Sequence, residues 1–202
     1  MTGVIYATGM EAAPFLTRAG IREDTIPRDP STPQFFDLRP THAIVLCICG
    51  MGPENARRAA VSLLQAHALS RIINPGVAGA LSDQASVGDI YRISSAFLWP
   101  DASAPLTGSD DGWIDRPARR LVTVQEPVFD PARRTELARL ADLVDMEGAA
   151  IAQVCAAQQV PLYMIKGITD QAGSQDRKRL LQNLGPVSER VAEIVWGKLT
   201  GL

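Results

Sequence analysis

Two carboxylates have the type and placement to do chemistry in this 202-residue chain: Glu147, in VDMEGAAIAQVC, and Asp170, in PLYMIKGITDQAG. Each follows an apolar run of strand character and precedes a helix or loop, the place at strand C-termini where α/β proteins collect ligand groups. Carboxyl groups there could exchange a proton or balance a developing cation. Each also has a plainer use: Glu147 would suit the positive N-terminus of the helix that follows, and Asp170 an Asx-type turn. A turn of Gly50, Met51 and Gly52 could present backbone N–H groups to an anion or a sugar, or could simply need positive φ. It lacks the third glycine of a dinucleotide loop and the lysine of a Walker motif. With only His42 and His67 in the chain, a histidine-rich metal site is excluded, and both read as structural or solvated. No metal is expected.

The elements that must hold these groups follow from the hydrophobic pattern. Short apolar runs at 4–8, 43–49, 71–74, 87–98, 121–124, 143–147 and 161–168 predict strands, several buried on both faces. Strand alternation sends Asp145 and Glu147 to one side and Met146 to the other. Helices are predicted over 11–18 despite Pro14, over 53–68 with Ala59, Ala60, Leu63, Leu64 and His67 inward, from Asp130-Pro131 with Leu137 and Leu140 on one face, over 148–158, and over 187–199. The proline-rich stretch 26–40 reads as a surface loop or ragged edge strand, and 100–117 as a flexible or functional excursion. In PGVAGAL, Gly76 and Gly79 permit another backbone to come close. Strands alternating with helices give an α/β class, a three-layer α/β/α arrangement around a central mixed sheet, in one domain over 1–202.

Composition narrows the partners. A net charge of −2 offers no attraction to nucleic acid or anionic lipid. No run reaches the roughly 18 apolar residues of a membrane helix, and the N-terminus carries no basic leader. Cys47, Cys49 and Cys155 sit in apolar surroundings and read as buried thiols of a reducing compartment, so a cytoplasmic protein is expected.

Four blocks, in order, are TGME near the start, GMGPENA after a buried strand, GVAGAL followed by VGDIY, and VDMEGAAIAQVC followed by the triplet ITD. Together they resemble the nucleoside phosphorylase and nucleosidase superfamily that includes methylthioadenosine/S-adenosylhomocysteine nucleosidases. The likeness spans the chain except 20–40 and 100–118. It implies a phosphorylase/hydrolase-like fold and cleavage of the N-glycosidic bond of a purine nucleoside, an adenosine derivative for preference, with no cofactor and with inorganic phosphate or water as acceptor. It further implies that Asp170 protonates or hydrogen-bonds purine N7 as the base departs. Glu147 would hold ribose hydroxyls and stabilise the cationic sugar, and Met146 would pack on it. Met51, Val77 and Gly79 would line the ribosyl and attacking side, with Thr169 and Lys166 near Asp170. A homo-oligomer, for preference a dimer, is expected on the same ground.

The departures fall on the attacking side. Nucleosidases of this kind activate water with a glutamate at the position of Ala13; here Glu11 is followed by Ala12 and Ala13, so Glu11 would have to take the base role after a local shift. The serine and arginine with which phosphorylases hold phosphate correspond to Val77 and Asn74. Arg57 and Arg58 could supply a phosphate ligand or be solvated helix residues. The combination of GMGP, GVAG, VDME and Glu126-Pro127-Val128 is most similar to the hopanoid-associated phosphorylase branch, which releases adenine from adenosylhopane. A nucleoside-binding or regulatory relative that has lost catalysis is the other expectation.

Overall fold

The computed structural model describes residues 1–28, 32–101, 105–109, 111–174 and 177–201. In chain order the elements are β1 (Thr2–Tyr6), α1 (Gly9–Arg18), β2 (Gln34–Asp37), α2 (Arg39–His42), β3 (Ile44–Ile48), α3 (Pro53–Ala66), β4 (Arg71–Ala80), β5 (Ile90–Leu98), β6 (Leu106–Thr107), β7 (Ala118–Thr123), α4 (Pro131–Leu137), β8 (Leu143–Asp145), α5 (Gly148–Ala157), β9 (Leu162–Gln171) and α6 (Arg177–Thr200). The predicted three-layer α/β arrangement around a mixed sheet is found. β2, β3, β1 and β4 lie side by side, β2 antiparallel to β3 and the other neighbours parallel. Beyond β4 the sheet closes: β4 pairs with β9, β9 with β5, β5 with β7, β7 with β8, and β8 with the last two residues of β4.

Helices α3 and α5 bury Ala59, Leu63, Ala149 and Ile151 against one face, and α1 and α6 bury Phe15, Leu16, Val191 and Val195 against the other. Alanines dominate α5 because it lies almost on the sheet. A Cβ added at Gly148 would stand 2.6 Å from Leu121 Cδ2.

Of the two readings of 26–40 the edge strand holds, as β2, and a four-residue helix begins at Arg39 and runs on to His42. Three expectations change. Strand β4 does not stop at Asn74 but continues through Pro75, Gly76 and Gly79 to Ala80. Helix α6 begins ten residues before 187 and runs through Gly185 and Pro186, so a proline inside the helix hid its first turns. His67 is only half-buried, at the end of α3.

The excursion 100–117 is also reassigned, residues 102–104 and 110 lying outside the described set. Its β6 adds to β5, Ser109 N–H donates to Leu162 O (2.7 Å), and Asp111 accepts from Tyr163 OH (2.5 Å). Trp113 packs on Tyr163 at 5.0 Å between ring centres, with the Arg71 guanidinium 5.4 Å over the indole. Arg71, Leu162 and Tyr163 begin their strands, so this segment closes the end of the ring opposite Glu147 and Asp170.

Candidate active site

Along one side of β4 the hydrogen-bond ladder has a gap. β1 pairs with it only as far as Ile73, and β8 joins only at Gly79. Pro75 is tolerated in that interval because no N–H is needed there. Asn74 Nδ2 donates to Ile5 O (2.9 Å), and the N–H of Val77 is taken by a side chain, Glu11 Oε2 (3.2 Å).

Glu11 reaches β4 from the first turn of α1. Thr8-Gly9-Met10-Glu11 has the spacing of a capping box, in which the glutamate would fold back to the N-cap N–H. Thr8 does cap, its Oγ1 accepting from Glu11 N–H (3.3 Å), but the same hydroxyl donates to Glu11 Oε1 (2.8 Å) while Oε2 goes to Val77. The carboxylate is thus diverted from its own helix to the gap. It is buried, and loss of hydration raises its pKa, partly opposed by the Thr8 hydroxyl, Lys166 and the Val77 N–H.

Glu147 is diverted in the same way. It is the N-cap residue of α5, yet its side chain makes no cap. That work is done by Asp145 Oδ2, which accepts from Gly148 N–H (2.9 Å), and by Thr123 Oγ1, which accepts from Ala149 N–H (2.8 Å). The helix-capping reading of Glu147 therefore passes to Asp145. Glu147 Oε1 instead accepts from Gly52 N–H (2.8 Å), in the turn where Gly50 and Gly52 hold φ of 83° and 99°. Both readings of that turn hold: it needs glycine, and it presents an N–H to an anion, the chain's own carboxylate. Burial first, and the Asp145 charge second, push the pKa of Glu147 up.

Lys166 is not beside Asp170, as expected, but beside Asp145. Nζ lies 3.0 Å from Asp145 Oδ2, with both side chains almost wholly buried. The expectation failed because Lys166 and Asp170 lie four residues apart on β9, about 13 Å along an extended strand. Asp145 is fixed further by Thr123 Oγ1, which donates to its Oδ1 (2.6 Å). Burial works against the charged lysine, but Asp145, Glu147 and Glu11 outweigh it and its pKa is raised. A Cβ placed on Gly76 would come within 2.8 Å of Glu11 Oε2 and 3.4 Å of Lys166 Nζ. The missing side chain leaves room for both charged ends over β4.

Asp170 stands apart. It is the ninth residue of β9, in the ladder and not in a turn, and is half-exposed. Its Oδ1 accepts from Thr169 Oγ1 (2.8 Å), and the Thr169 carbonyl is held by Asn183 Nδ2 (2.8 Å) from the early turns of α6. Burial raises its pKa, with the Thr169 bond opposing. Gly79 is its register partner on β4, where an added Cβ would lie 3.4 Å from Asp170 Oδ2.

The structure thus brings Glu11, Glu147, Val77, Gly79, Thr169 and Asp170 to the C-terminal ends of β4, β8 and β9. Met51 is exposed beside Gly52, and Met146 is half-buried against the cluster of Val122, Val124 and Leu137. Arg57 and Arg58 are engaged within and beside α3, Arg57 with Gln153 (2.6 Å) and Arg58 with Asn55 (2.5 Å). Thr8 and Thr123 were not anticipated, though Thr8 left a sequence signal in the Thr-x-x-Glu spacing; Gly52, Gly76 and Asp145 were noted in the sequence, but not the partners they have here. Behind α1 lies a cavity of about 1080 Å³, lined by Met10, Ala13, Pro14, Leu181 and Leu184 among others, but by none of the carboxylates Glu11, Glu147 and Asp170.

With this geometry in hand, comparison with known proteins gives one consistent result. The family model described as "Phosphorylase superfamily" matches residues 2–139 and 115–197. A 5'-methylthioadenosine/S-adenosylhomocysteine nucleosidase of Anoxybacillus flavithermus is 31% identical over 183 residues, covering 75% of this chain and 78% of that protein. An aminodeoxyfutalosine nucleosidase of Campylobacter jejuni is 24% identical over 168 residues, covering 70% and 73%. Among solved structures, the Helicobacter pylori 5'-methylthioadenosine/S-adenosyl homocysteine nucleosidase superposes with a TM-score of 0.82 at 17% identity, covering 100% of this chain and 98% of that one. At that identity the likeness concerns the fold.

Proposed function

This chain belongs to the phosphorylase superfamily, and we propose that it cleaves the N-glycosidic bond of an adenosine-type nucleoside with water as the acceptor. The observation that carries the choice of water is the Glu11–Val77 contact. An attacking phosphate would need donors on the sugar side, but there the Val77 N–H already serves a buried carboxylate, which would repel a second anion. A carboxylate with a raised pKa suits removal of a proton from water. Glu11 is then the base, compensating for Ala13.

The remaining roles follow from charge. The departing sugar becomes cationic, and Glu147, held by Gly52, would accept from ribose hydroxyls and stabilise that cation. Asp170, its proton retained to higher pH by burial, would hydrogen-bond or protonate purine N7 as the base leaves. Val77, Gly79, Met51 and Met146 would shape the sugar pocket. The finer reading, an adenosine with a large apolar 5′-substituent of the adenosylhopane kind, rests on the GMGP, GVAG and VDME blocks; the cavity behind α1 joins Met10, Leu181 and Leu184 to Arg18, Glu23, Asp24, Arg28 and Glu189 and is mixed in character.

Incubation with methylthioadenosine, with and without inorganic phosphate, tests the proposal, with free base and sugar product resolved by chromatography. Adenine and unphosphorylated sugar, released at a rate indifferent to phosphate, are expected. A sugar 1-phosphate would make the enzyme a phosphorylase. Tight binding of intact nucleoside without release, for this substrate and for a lipid-linked adenosine, would make it a binding relative.

A further inference from the structure

Lys166 has no part in the roles above, yet it is an almost wholly buried lysine at their centre. Its surroundings can be named element by element. β8 presents Asp145, the start of α5 Glu147, α1 Glu11, and the end of β3 the thiol of Cys49; β4 presents only Gly76. Three carboxyl groups therefore surround one buried ammonium, Asp145 in direct contact with it at 3.0 Å. Without a cation there, like-charge repulsion would leave fewer than three of them ionised. Asp145 is anchored by Thr123 Oγ1 and Gly148 N–H, so the ammonium it holds is fixed in place and not swung toward substrate.

Resting on the proposed glycosidic cleavage, we propose that Lys166 is a positioning residue whose ammonium, tethered by Asp145, is the counter-charge that favours the anionic form of Glu147 beside the cationic sugar. The tether matters as much as the charge. An ammonium free to approach the ribosyl ring would oppose the cation that forms there, whereas one paired with Asp145 offsets repulsion among the carboxylates without adding net positive charge. Gly76 belongs to the same device, since any side chain on it would enter the space between Glu11 and Lys166.

Two variants should move one group in opposite directions. In Lys166→Met the Asp145 charge is left uncompensated two residues from Glu147, so Glu147 should ionise at higher pH than in the wild type. In Asp145→Asn the repulsion is removed and the ammonium is released to Glu147, which should then ionise at lower pH. Lys166→Arg should remain near wild type. The readout is the carbon-13 titration of the Glu147 carboxyl, assigned with Glu147→Gln, alongside the acid limb of kcat/KM for adenine release from methylthioadenosine. Opposite shifts of about one pH unit or more, a tenfold change in ionisation, are expected. Shifts in the same direction, or none, would overturn the proposal. If Lys166→Met fails to fold, Asp145→Asn alone decides, because a Glu147 titration unmoved or moved upward contradicts it. A wild type that releases no base would remove the proposed activity while leaving the titration to decide the counter-charge.

Discussion

The two sides of the site are built from the same side-chain chemistry in opposite styles. On the proposed sugar side Glu11 and Glu147 are buried, each bonded to a backbone N–H, and linked electrostatically to the Lys166–Asp145 pair. On the proposed base side Asp170 is half-exposed and, among the described residues, its carboxyl is bonded to its neighbour Thr169 alone. A carboxylate locked in a network suits a fixed demand, since every substrate of such an enzyme forms a cationic ribosyl group. A carboxyl in a looser setting can gain a proton from solvent and give it up to a leaving group.

Breaking the sugar side should therefore cost most. Glu11→Gln is expected to lower kcat by about 10²–10⁴-fold, the range for a lost general base. Glu147→Gln should lower it by about 10²–10³-fold, the range for a lost charge stabiliser. Asp170→Asn should fall near the lower end, about a hundredfold, because an amide still donates to N7. Initial rates of adenine release measure all three, and a larger loss at Asp170 than at either glutamate would reverse the contrast. Gly76→Ala, which forces Glu11 Oε2 from its place, should cost about tenfold or more in kcat while the protein still folds.

Stability should move against activity at the glutamates. Glu11 and Glu147 both titrate above their ordinary 4.5 when folded. The native state then holds protons that the unfolded chain has lost, so the stability these groups contribute is complete below pH 4.5 and declines as pH rises through their folded values. Glu147→Gln should accordingly raise Tm in mildly alkaline buffer, by about 2–4 °C if the relief is ~1 kcal/mol, and the gain should vanish in acid. Thermal melts at several pH values check this; a fall in Tm in alkaline buffer would contradict the sign. The smallest effect is expected at the far end of the ring. Asp111→Asn should leave the rate of adenine release unchanged and lower Tm slightly, since Asp111 is exposed and its bond to Tyr163 only part-buried.

Which parts of this were legible in the sequence follows the range of the interactions. Continuous apolar runs such as 43–49 announced buried strands, and Pro53 and Asp130-Pro131 announced helix starts, because those signals are local. β4 and α6 were cut short where Pro75 and Pro186 looked like breaks. Pro75 is harmless because its side of β4 has no strand partner, a fact settled by where β1 ends. The carboxylates themselves were named in the sequence, with Glu11 expected to take the base role after a local shift. Their partners were not, since Val77 is 66 residues from Glu11 and Gly52 is 95 from Glu147. The misplacement of Lys166 has the same origin: its partner arrives through the closure of β4, β9, β5, β7 and β8.

That closure also governs how the molecule meets its neighbours. A sheet whose strands return on themselves presents little bare backbone for another chain to extend. Among the described residues, the ends of the strand path are β2 and β6, with four and two residues. Even β2, whose Phe35 is exposed, is bounded by Asp37 paired with Arg39. Concealing backbone in a ring, with charge at the short outer strand, should favour a chain that survives crowding and partial unfolding without edge-to-edge aggregation.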